Sequence, residues 1–256
     1  MNVLILAAGY ATRLRPLTND HAKELLPVGG RPIIDWILDR VDELDEVEAV
    51  HVVTNAFKAP MFDRWSTGRD IQVHNDGTTS NDDRLGAIGD MRFVVEGAGL
   101  DDDLLVIAGD NLFEFSLRGY VDFWRTKGLG SALAVRDVGS RELAMRYGVV
   151  ELNENDRVVD LVEKPADPKS TLAATATYIF HRAHVPLIAQ YLDAGNVPDQ
   201  PGLFAGWLQE REPVYAYRFD EAWFDIGDLG QLLEADNRLR RREGLPERDE
   251  YIVDPA

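Results

Sequence analysis

The stretch ILAAGYATRLRPLTNDHAKELLPVGGRPIIDW, residues 5–36, connects a short apolar run to an amphipathic one. It contains three glycines and three prolines, so most of it fits neither a strand nor a helix. Open α/β sheets bind ligands beyond the carboxyl ends of their strands. Backbone N–H groups beside Arg13 and Lys23 would suit an anion such as a triphosphate. The stretch predicts an α/β fold with a phosphate-binding loop after its first strand; the alternative is a loop whose cations are merely solvated.

Strands and helices alternate through the first half of the chain. Apolar runs predict strands at residues 2–7, 49–54, 71–74 and 104–108. Amphipathic patterns predict helices at residues 32–44, 57–65, 84–96 and 117–127. This alternation predicts a sheet of parallel strands with right-handed helical crossovers.

The second half adds further strands. They are predicted at residues 131–135, 147–152, 157–162, 173–180 and 214–219, with helices at 185–192, 203–209 and 227–242. No linker, low-complexity segment or repeat separates the halves. We therefore expect one domain over residues 1–243, made of the halves 1–128 and 129–243, followed by a loose tail at 244–256.

Composition excludes several classes of protein. The 256 residues include no cysteine, so disulfides are ruled out. No apolar run approaches the ~20 residues of a membrane span, and no signal peptide is evident, which predicts a cytoplasmic protein. The net charge of −18 argues against nucleic acid and anionic membranes as partners. A GC-rich genome and a salt-adapted cytoplasm both explain a chain with 28 Asp and only 5 Lys.

Two common nucleotide-binding motifs are absent after the first strand, namely Gly-x4-Gly-Lys-Ser/Thr and Gly-x-Gly-x-x-Gly. Other segments, in order along the chain, resemble the sugar-1-phosphate nucleotidyltransferases, also called nucleoside-diphosphate-sugar pyrophosphorylases. They are LAAGYATRL (6–14), KELLP (23–27), GDN (109–111), RYGVV (146–150), EKP (163–165), Ala174-Thr175 with Tyr178, and WFDIGD (223–228). The resemblance covers residues 2 to about 236.

The resemblance implies a fold and a reaction. The fold would be α/β, a Rossmann-like three-layer sandwich with a mixed, mainly parallel central sheet. Residues 1–128 would bind the nucleotide and residues 129–243 the sugar phosphate. The reaction would convert a nucleoside triphosphate and a sugar 1-phosphate into a nucleotide-sugar and pyrophosphate, with Mg²⁺. Its nucleophile would be a phosphate oxygen, largely dianionic because the second pKa is about 6, so no general base is required.

The resemblance also implies site residues. Asp110 and Asp225 would hold the Mg²⁺. The expected catalytic residues are Arg13, Lys23, Asp110, Lys164 and Asp225. The expected nucleotide-binding residues are Leu6, Ala8, Gly9, Thr12, Arg13, Lys23, Asn81 and Gly86. The expected sugar-phosphate-binding residues are Gly148, Glu163, Lys164 and Thr175.

The assignments with the clearest structural alternatives are the two metal ligands and two sugar-phosphate residues. Asp110 would otherwise cap a turn or helix. Asp225 would otherwise cap the last helix, although Asp228 suits that position better. Lys164 would be a surface lysine in a turn, and Thr175 an ordinary strand residue.

The chain departs from the family pattern at two places. Ala11 stands where relatives have glycine, which matters if the position requires a positive φ. No Gln precedes Gly86 to read a pyrimidine base, and Asn81, Asn75 or Thr79 are the candidates to replace it. We expect dTTP or UTP with glucose 1-phosphate, while CTP and GTP remain open. The absence of hexapeptide repeats predicts no left-handed β-helix domain.

Two other functions remain open. One is a non-catalytic relative that binds a nucleotide-sugar and regulates a partner, although neither expected metal ligand nor the Arg13 and Lys23 pair is lost. The other is a nucleotidyltransferase for a non-sugar phosphate such as phosphocholine. The expected partners are small-molecule substrates, and a homo-oligomer is compatible with the resemblance because relatives commonly form dimers or tetramers.

Overall fold

The computed structural model describes residues 1–253. The strands in this part are β1 (Asn2–Leu6), β2 (Pro27–Val28), β3 (Arg31–Pro32), β4 (Ala49–Thr54), β5 (Gln72–Asn75), β6 (Leu104–Ala108), β7 (Asn111–Phe113), β8 (Ser131–Asp137), β9 (Gly148–Leu152), β10 (Val158–Glu163), β11 (Leu172–Phe180), β12 (Val214–Phe219) and β13 (Trp223–Asp225). The helices are α1 (Ile33–Val41), α2 (Ala59–Trp65), α3 (Ala87–Ala98), α4 (Leu117–Arg125), α5 (Arg141–Ala144), α6 (Leu187–Asp193), α7 (Pro201–Gln209) and α8 (Leu229–Arg242). None of the described helices is both long enough and apolar enough to cross a membrane.

A nine-stranded mixed sheet forms the centre of the described molecule. Strands β5, β4, β1 and β6 lie side by side and run parallel. Strand β11 pairs antiparallel with β6 and extends the sheet toward β8 and β9. Strand β12 runs parallel to β8, and β10 forms the predicted hairpin with β9. The α/β fold class and the mixed sheet are confirmed.

Helices cover both faces of the sheet, and the side chains of each buried strand point alternately into one of two cores. On β1, Leu4 faces a core shared with α3, α6 and α7, whereas Val3 and Ile5 face a core shared with α1, α2 and α4. All three side chains are fully buried. Burying both faces explains why the first strand reads as a continuous apolar run. The result is the predicted three-layer arrangement.

A third core joins the loop after β1 to the closing helix. Its buried members are Leu14, Leu26, Val28, Ile33, Trp36, Leu112, Ile226, Leu232, Ala235 and Leu239. Gly29 has a φ of +62°, and a Cβ there would lie 2.6 Å from Leu239 Cβ, so only glycine allows this contact. Its N–H donates to Asp236 Oδ1 at 2.8 Å. This core brings segments more than 200 residues apart to the same end of the sheet.

Several predicted boundaries are wrong, and α3 shows why. The sequence predicts a helix from residue 84, but α3 begins at Ala87. The Asp83 carboxylate accepts hydrogen bonds from the N–H groups of Thr79 and Ser80, the latter at 2.7 Å. These bonds fold residues 79–83 into a loop instead of a helical turn.

The sequence also misses short elements that depend on tertiary contacts. They are β2, β3, β7, β13 and α5, together with three 3₁₀ turns in the loop after β1, at Thr12–Leu14, Leu17–Asn19 and Lys23–Leu25. None contains enough residues to show a periodic pattern.

The prediction of a loose tail is wrong for residues 244–253. The Tyr251 hydroxyl donates to the Pro27 carbonyl at 2.8 Å, and Tyr251 and Val253 pack against the third core. Arg248 N–H donates to Asn237 Oδ1 at 2.8 Å, and Asn237 returns a bond to the Arg248 carbonyl. These contacts attach the segment to α8 and to the loop. The remaining residues of the predicted tail, 254–256, lie outside the described part.

Candidate active site

The ends of β1 and β6 place backbone and carboxylate groups next to each other. Gly109 follows β6 and donates its N–H to the Leu6 carbonyl at 2.8 Å. A Cβ at Gly109 would lie 2.9 Å from that same oxygen, so glycine is required there. Asp110 is the next residue and therefore projects beyond the end of β6.

The β7–β13 ladder brings a second carboxylate to Asp110. Asp225 is the register partner of Asn111, and the Ile226 N–H donates to the Asp110 carbonyl at 3.1 Å. The Asn111 side chain bonds Trp223 Nε1 at 2.6 Å and Asp110 Oδ1 at 2.9 Å. The structure thus joins residues 115 positions apart along the chain. The resemblance implied this pairing, but local sequence periodicity could not show it.

Lys23 balances part of this negative charge. Its Nζ donates to Asp110 Oδ2 at 2.5 Å and to the Ile226 carbonyl at 3.2 Å. Burial by itself would lower the pKa of Lys23, but attraction from Asp110, Glu24 and Asp225 raises it. Burial would likewise raise the pKa of Asp110, and the Lys23 ammonium nevertheless holds it below its usual value. Both groups are therefore charged at neutral pH.

Asp225 retains excess negative charge. Burial first, and then the neighbouring Asp110 carboxylate, raise the pKa of Asp225 to about 6. Lys23, Arg13 and Lys164 oppose that shift without cancelling it. Two adjacent carboxylates with one direct lysine partner are suited to attract a further cation.

A buried lysine that sequence reasoning missed supports the loop. Lys58 is 1% exposed, and its Nζ donates to the Gly9 carbonyl at 2.5 Å and to Glu24 Oε2 at 3.2 Å. Asn55, also buried, donates to the Ala8 carbonyl at 2.8 Å. The segment between β4 and α2 therefore connects Ala8 and Gly9 to the turn that carries Lys23.

The first turn of the loop lies at its exposed edge. Ala11 has a φ of +46°, so this position does require the left-handed conformation. Thr12 and Arg13 follow it and are exposed. A Cβ at Gly227 would lie 3.3 Å from Arg13 Nη2, which places the guanidinium beside the chain that follows Asp225. Arg13 thus lies close enough for its charge to act on Asp225, while no described contact places Thr12 in the site.

A cleft of about 260 Å³ opens between the loop and the start of α3. Its lining includes seven of the predicted residues: Leu6, Ala8, Gly9, Lys23, Asn81, Gly86 and Asp110. It also includes residues that the sequence did not single out: Tyr10, Asp76, Asp90, Ala176, Asp199 and Pro201. Among these, Ala176 has a φ of +52° and lies at the register shift of β11. No signal in the sequence marked that irregularity.

The predicted sugar-phosphate residues occupy the β9–β10 side of the molecule. A Cβ at Gly148 would lie 2.9 Å from Glu163 Oε2, and one at Gly202 would lie 2.7 Å from it, so the carboxylate fits between two glycines. Burial raises the pKa of Glu163. Lys164 has a φ of +47°, donates its N–H to the Tyr147 carbonyl at 3.0 Å, and its charge acts on Asp225. Gly148, Glu163 and Lys164 therefore lie together.

Thr175 does not join them. Its side chain is fully buried, and its hydroxyl donates to the Ala134 carbonyl at 3.0 Å. Along β11, Ala174 and Ala176 contact the core that also contains Leu161, so Thr175 points to the other face of the sheet. The structural alternative for Thr175 accounts for these contacts, and the expectation of a sugar contact is corrected.

The three residues expected to contact the base differ in whether their side chains already have hydrogen-bond partners. Asn75 accepts the Gly77 N–H at 2.9 Å, and the Thr79 hydroxyl donates to Asp83 Oδ2 at 2.9 Å, so both side chains are engaged in their own loop. Asn81 lines the cleft but is exposed at its rim.

A comparison with protein families identifies the fold independently. The model of the family described as nucleotidyl transferase matches residues 2–242 of the chain. A crystal structure of UDP-glucose pyrophosphorylase complexed with UDP-glucose superimposes with a TM-score of 0.78. It is 22% identical, and the match covers 94% of this chain and 98% of the other. At that identity the likeness concerns the fold.

Curated relatives share more of the sequence. A UTP–glucose-1-phosphate uridylyltransferase from Synechocystis sp. is 29% identical over 254 residues, covering 95% of this chain. A glucose-1-phosphate adenylyltransferase from Geobacillus stearothermophilus is 29% identical over 257 residues, covering 92% of this chain. This chain spans 64% of the length of the first relative and 65% of the second.

Proposed function

We propose that this chain, which belongs to the nucleotidyl transferase family, transfers a nucleotidyl group from a nucleoside triphosphate to a sugar 1-phosphate. One observation carries the proposal: Asp110 and Asp225 meet beyond the end of β6, with Lys23 Nζ 2.5 Å from Asp110. The products would be a nucleotide-sugar and pyrophosphate. The names of the relatives include uridylyl and adenylyl transfer, both to glucose 1-phosphate. Family membership therefore supports the class of reaction, a nucleotidyl transfer to a sugar 1-phosphate, and not one base or one sugar.

The reaction depends on neutralising the negative charge of the two substrates and does not require a general base. The nucleophile is a phosphate oxygen of the sugar phosphate, which is mostly ionised at neutral pH. It attacks the α-phosphate in line with the departing pyrophosphate, so two polyanions must be held close together. The ammonium of Lys23 lies beside Asp110 in the cleft lined by the loop, and the Arg13 guanidinium lies beside Gly227. These two cations would stabilise the α-phosphate and the pyrophosphate.

Asp110 and Asp225 fit a divalent cation. Their oxygens are hard ligands, and burial, followed by the neighbouring Asp110 carboxylate, raises the pKa of Asp225. Among residues 1–253 no group of three or more acidic or histidine side chains is arranged to hold a metal. The pair would therefore leave most ligand positions to water and phosphate, as Mg²⁺ prefers. When bound there, Mg²⁺ would supply positive charge that neutralises the phosphates during the displacement.

The sugar phosphate would lie on the side of residues 129–243, with the nucleotide on the side of residues 1–128. Lys164 is exposed and its charge acts on Asp225, which supports a role for its ammonium in holding the sugar phosphate near the same carboxylates. Glu163 and the backbone at Gly148 would meet sugar hydroxyls. Arg136 and Arg146 line a second cleft that also reaches Asp225, which provides further cations on this side.

The test is a panel assay of pyrophosphate release. Each of dTTP, UTP, CTP, GTP and ATP is combined with glucose 1-phosphate and with other sugar 1-phosphates, with and without MgCl₂. We expect release with at least one pair, dependent on MgCl₂, with dTTP or UTP and glucose 1-phosphate as the first pair to examine. Phosphocholine serves as the non-sugar acceptor. Release with phosphocholine alone, or with no pair at all, would contradict the proposal.

A further inference from the structure

Charged side chains line the cleft beside Lys23 at both ends. At the end formed by the loop around Gly9, the Lys23 ammonium lies beside the carboxylates of Glu24 and Asp110. At the other, acidic end lie three carboxylates, those of Asp76, Asp90 and Asp199, of which Asp199 is paired with Arg84. Carboxylates repel a triphosphate, so a bound nucleotide places its phosphates beside Lys23 and its nucleoside toward the acidic end. This step rests on the proposed function.

Two of these carboxylates form a buried pair. Asp90 is 6% exposed, and its Oδ1 is completely buried without a hydrogen-bond partner among the described residues. Asp76 Oδ2 is also completely buried without a hydrogen-bond partner among the described residues. Asp76 Oδ1 accepts hydrogen bonds from the N–H and the hydroxyl of Thr78, at 2.7 and 2.8 Å. The Thr78 hydroxyl also accepts a bond from Tyr10 on the loop. Asp76 is thus held in place, and both residues of the pair line the cleft.

Asp90 keeps its proton at neutral pH. Burial first, and then Asp76 and Asp199, raise the pKa of Asp90 to about 8. The two side chains lie within hydrogen-bonding reach, so a neutral Asp90 donates to the Asp76 carboxylate. Arg84, which also lines the cleft, is directed to Asp199, with Nη2 2.9 Å from Oδ2. No other cation among the described residues pairs with Asp76 or Asp90.

We propose that Asp90, together with Asp76, contacts the nucleobase and that the proton on Asp90 provides the donor an amide side chain would provide. A carboxyl group that keeps its proton offers one O–H donor and one C=O acceptor, as an amide offers N–H and C=O. When a base N–H donates to the Asp76 carboxylate, the Asp90 hydroxyl can turn to a base carbonyl. The pair then makes two bonds to the base in place of one internal bond.

This arrangement matches the edge of uracil or thymine, in which an N–H lies beside a carbonyl. It also explains how the chain reads a base without a Gln before Gly86. The side chains of Asn75 and Thr79 are engaged in their own loop, and Asn81 lies at the exposed rim. Asp90, one helical turn after Gly86, lies deeper in the cleft.

The experiment measures nucleotide binding, not turnover. Dissociation constants for dTTP and UTP are determined by calorimetry at pH 7 and pH 9 for the wild type, Asp90→Asn and Asp90→Ala. Inorganic triphosphate, which has no base, is the control ligand. Lys23 and Tyr10 both have pKa values raised above their usual ones, whereas the pKa of Asp90 is about 8, so Asp90 is the group that titrates between these two pH values.

The wild type should bind dTTP about tenfold more weakly at pH 9 than at pH 7, because ionising Asp90 removes the donor. Asp90→Asn carries a permanent donor and should bind equally at both pH values. Asp90→Ala should bind about five- to tenfold more weakly than the wild type at pH 7. Inorganic triphosphate should show none of these differences.

Wild-type affinity that changes less than twofold between the two pH values would overturn the inference. So would Asp90→Ala binding as tightly as the wild type. In either case the proposed function would stand, because the nucleotide would still bind. If the wild type binds no triphosphate at any pH, with or without MgCl₂, the proposed function and this inference both fail.

Discussion

Asp110 contributes its charge to two partners at once, the ammonium of Lys23 and, in the proposed function, a divalent cation. We predict that Asp110→Asn lowers kcat by at least about a hundredfold, since one preorganised charge contributes roughly this much in polar active sites. The fold should survive, because the substitution also relieves the repulsion from Asp225. Pyrophosphate release and circular dichroism check the two statements.

Asp101→Asn is the matched control, since Asp101 is exposed in the loop before β6. It should retain full activity. Asp110→Asn with activity near the wild-type value would remove Asp110 from the proposed metal site.

Ala11 occupies a backbone conformation that disfavours every residue with a Cβ. Its φ of +46° costs roughly 1 kcal/mol relative to glycine. Part of the stability that glycine would gain at this position is offset, because glycine loses more conformational entropy on folding than alanine does. We predict that Ala11→Gly raises the free energy of unfolding by less than about 1 kcal/mol, measured by urea denaturation.

Ala166→Gly is a suitable comparison, because Ala166 is exposed and is not among the residues with positive φ. That change should leave stability unaltered or lower it slightly. Equal effects at both positions would mean that the φ of Ala11 is not the source of the difference.

Motifs single out residues where the chemistry is local to a motif. Lys23, Asp110 and Asp225 were identifiable because the resemblance spans their segments, and the structure brings them together. Asp90 and Lys58 could not be identified from the sequence, because the roles of their side chains depend on contacts with residues in other segments. An Asp inside an amphipathic helix and a Lys after a strand look like ordinary surface residues in the sequence.

At the scale of elements, the segment between β4 and α2 supports the loop after β1. Lys58 and Glu24 form a buried ion pair, with Nζ 3.2 Å from Oε2, and Lys58 also bonds the Gly9 carbonyl. We predict that Lys58→Met lowers the free energy of unfolding by about 3–5 kcal/mol, because it leaves Glu24 buried and unpaired. Urea denaturation provides the measurement.

The double variant Lys58→Met with Glu24→Gln should regain much of this loss, since no unpaired charge remains. Losses that simply add in the double variant would show that the two side chains act independently. Such a result would contradict the role assigned to the pair.

Some strands can be predicted from the sequence and others cannot. Strands β4, β6 and β12 were predicted at their observed bounds. Strands β4 and β6 lie inside the sheet and leave a run of apolar residues, whereas β12 lies at an edge and alternates buried with less buried residues. Strands β7 and β13 were missed, since three residues carry no period and their pairing joins segments more than 100 residues apart. This short ladder is nevertheless what positions Asp225 beside Asp110.

At the scale of the whole molecule, a buried acid that keeps its proton makes stability depend on pH. Asp90 has a pKa of about 8 in the folded state and the usual lower value when unfolded. The folded protein therefore binds this proton more tightly, so its contribution to stability is complete in acid and is lost as pH rises toward 8. We predict that the free energy of unfolding attributable to Asp90 falls by several kcal/mol between pH 5 and pH 8.

Asp90→Asn isolates that contribution from the other titrating groups, because the amide has no proton to lose while keeping the shape of the neutral acid. The difference in unfolding free energy between variant and wild type should grow from near zero at pH 4 to its full value above pH 8, in urea denaturation at each pH. A difference that stays constant with pH would mean that Asp90 is ionised throughout. The acid end of the cleft would then carry a full second charge, and only a ligand with several donors could occupy it.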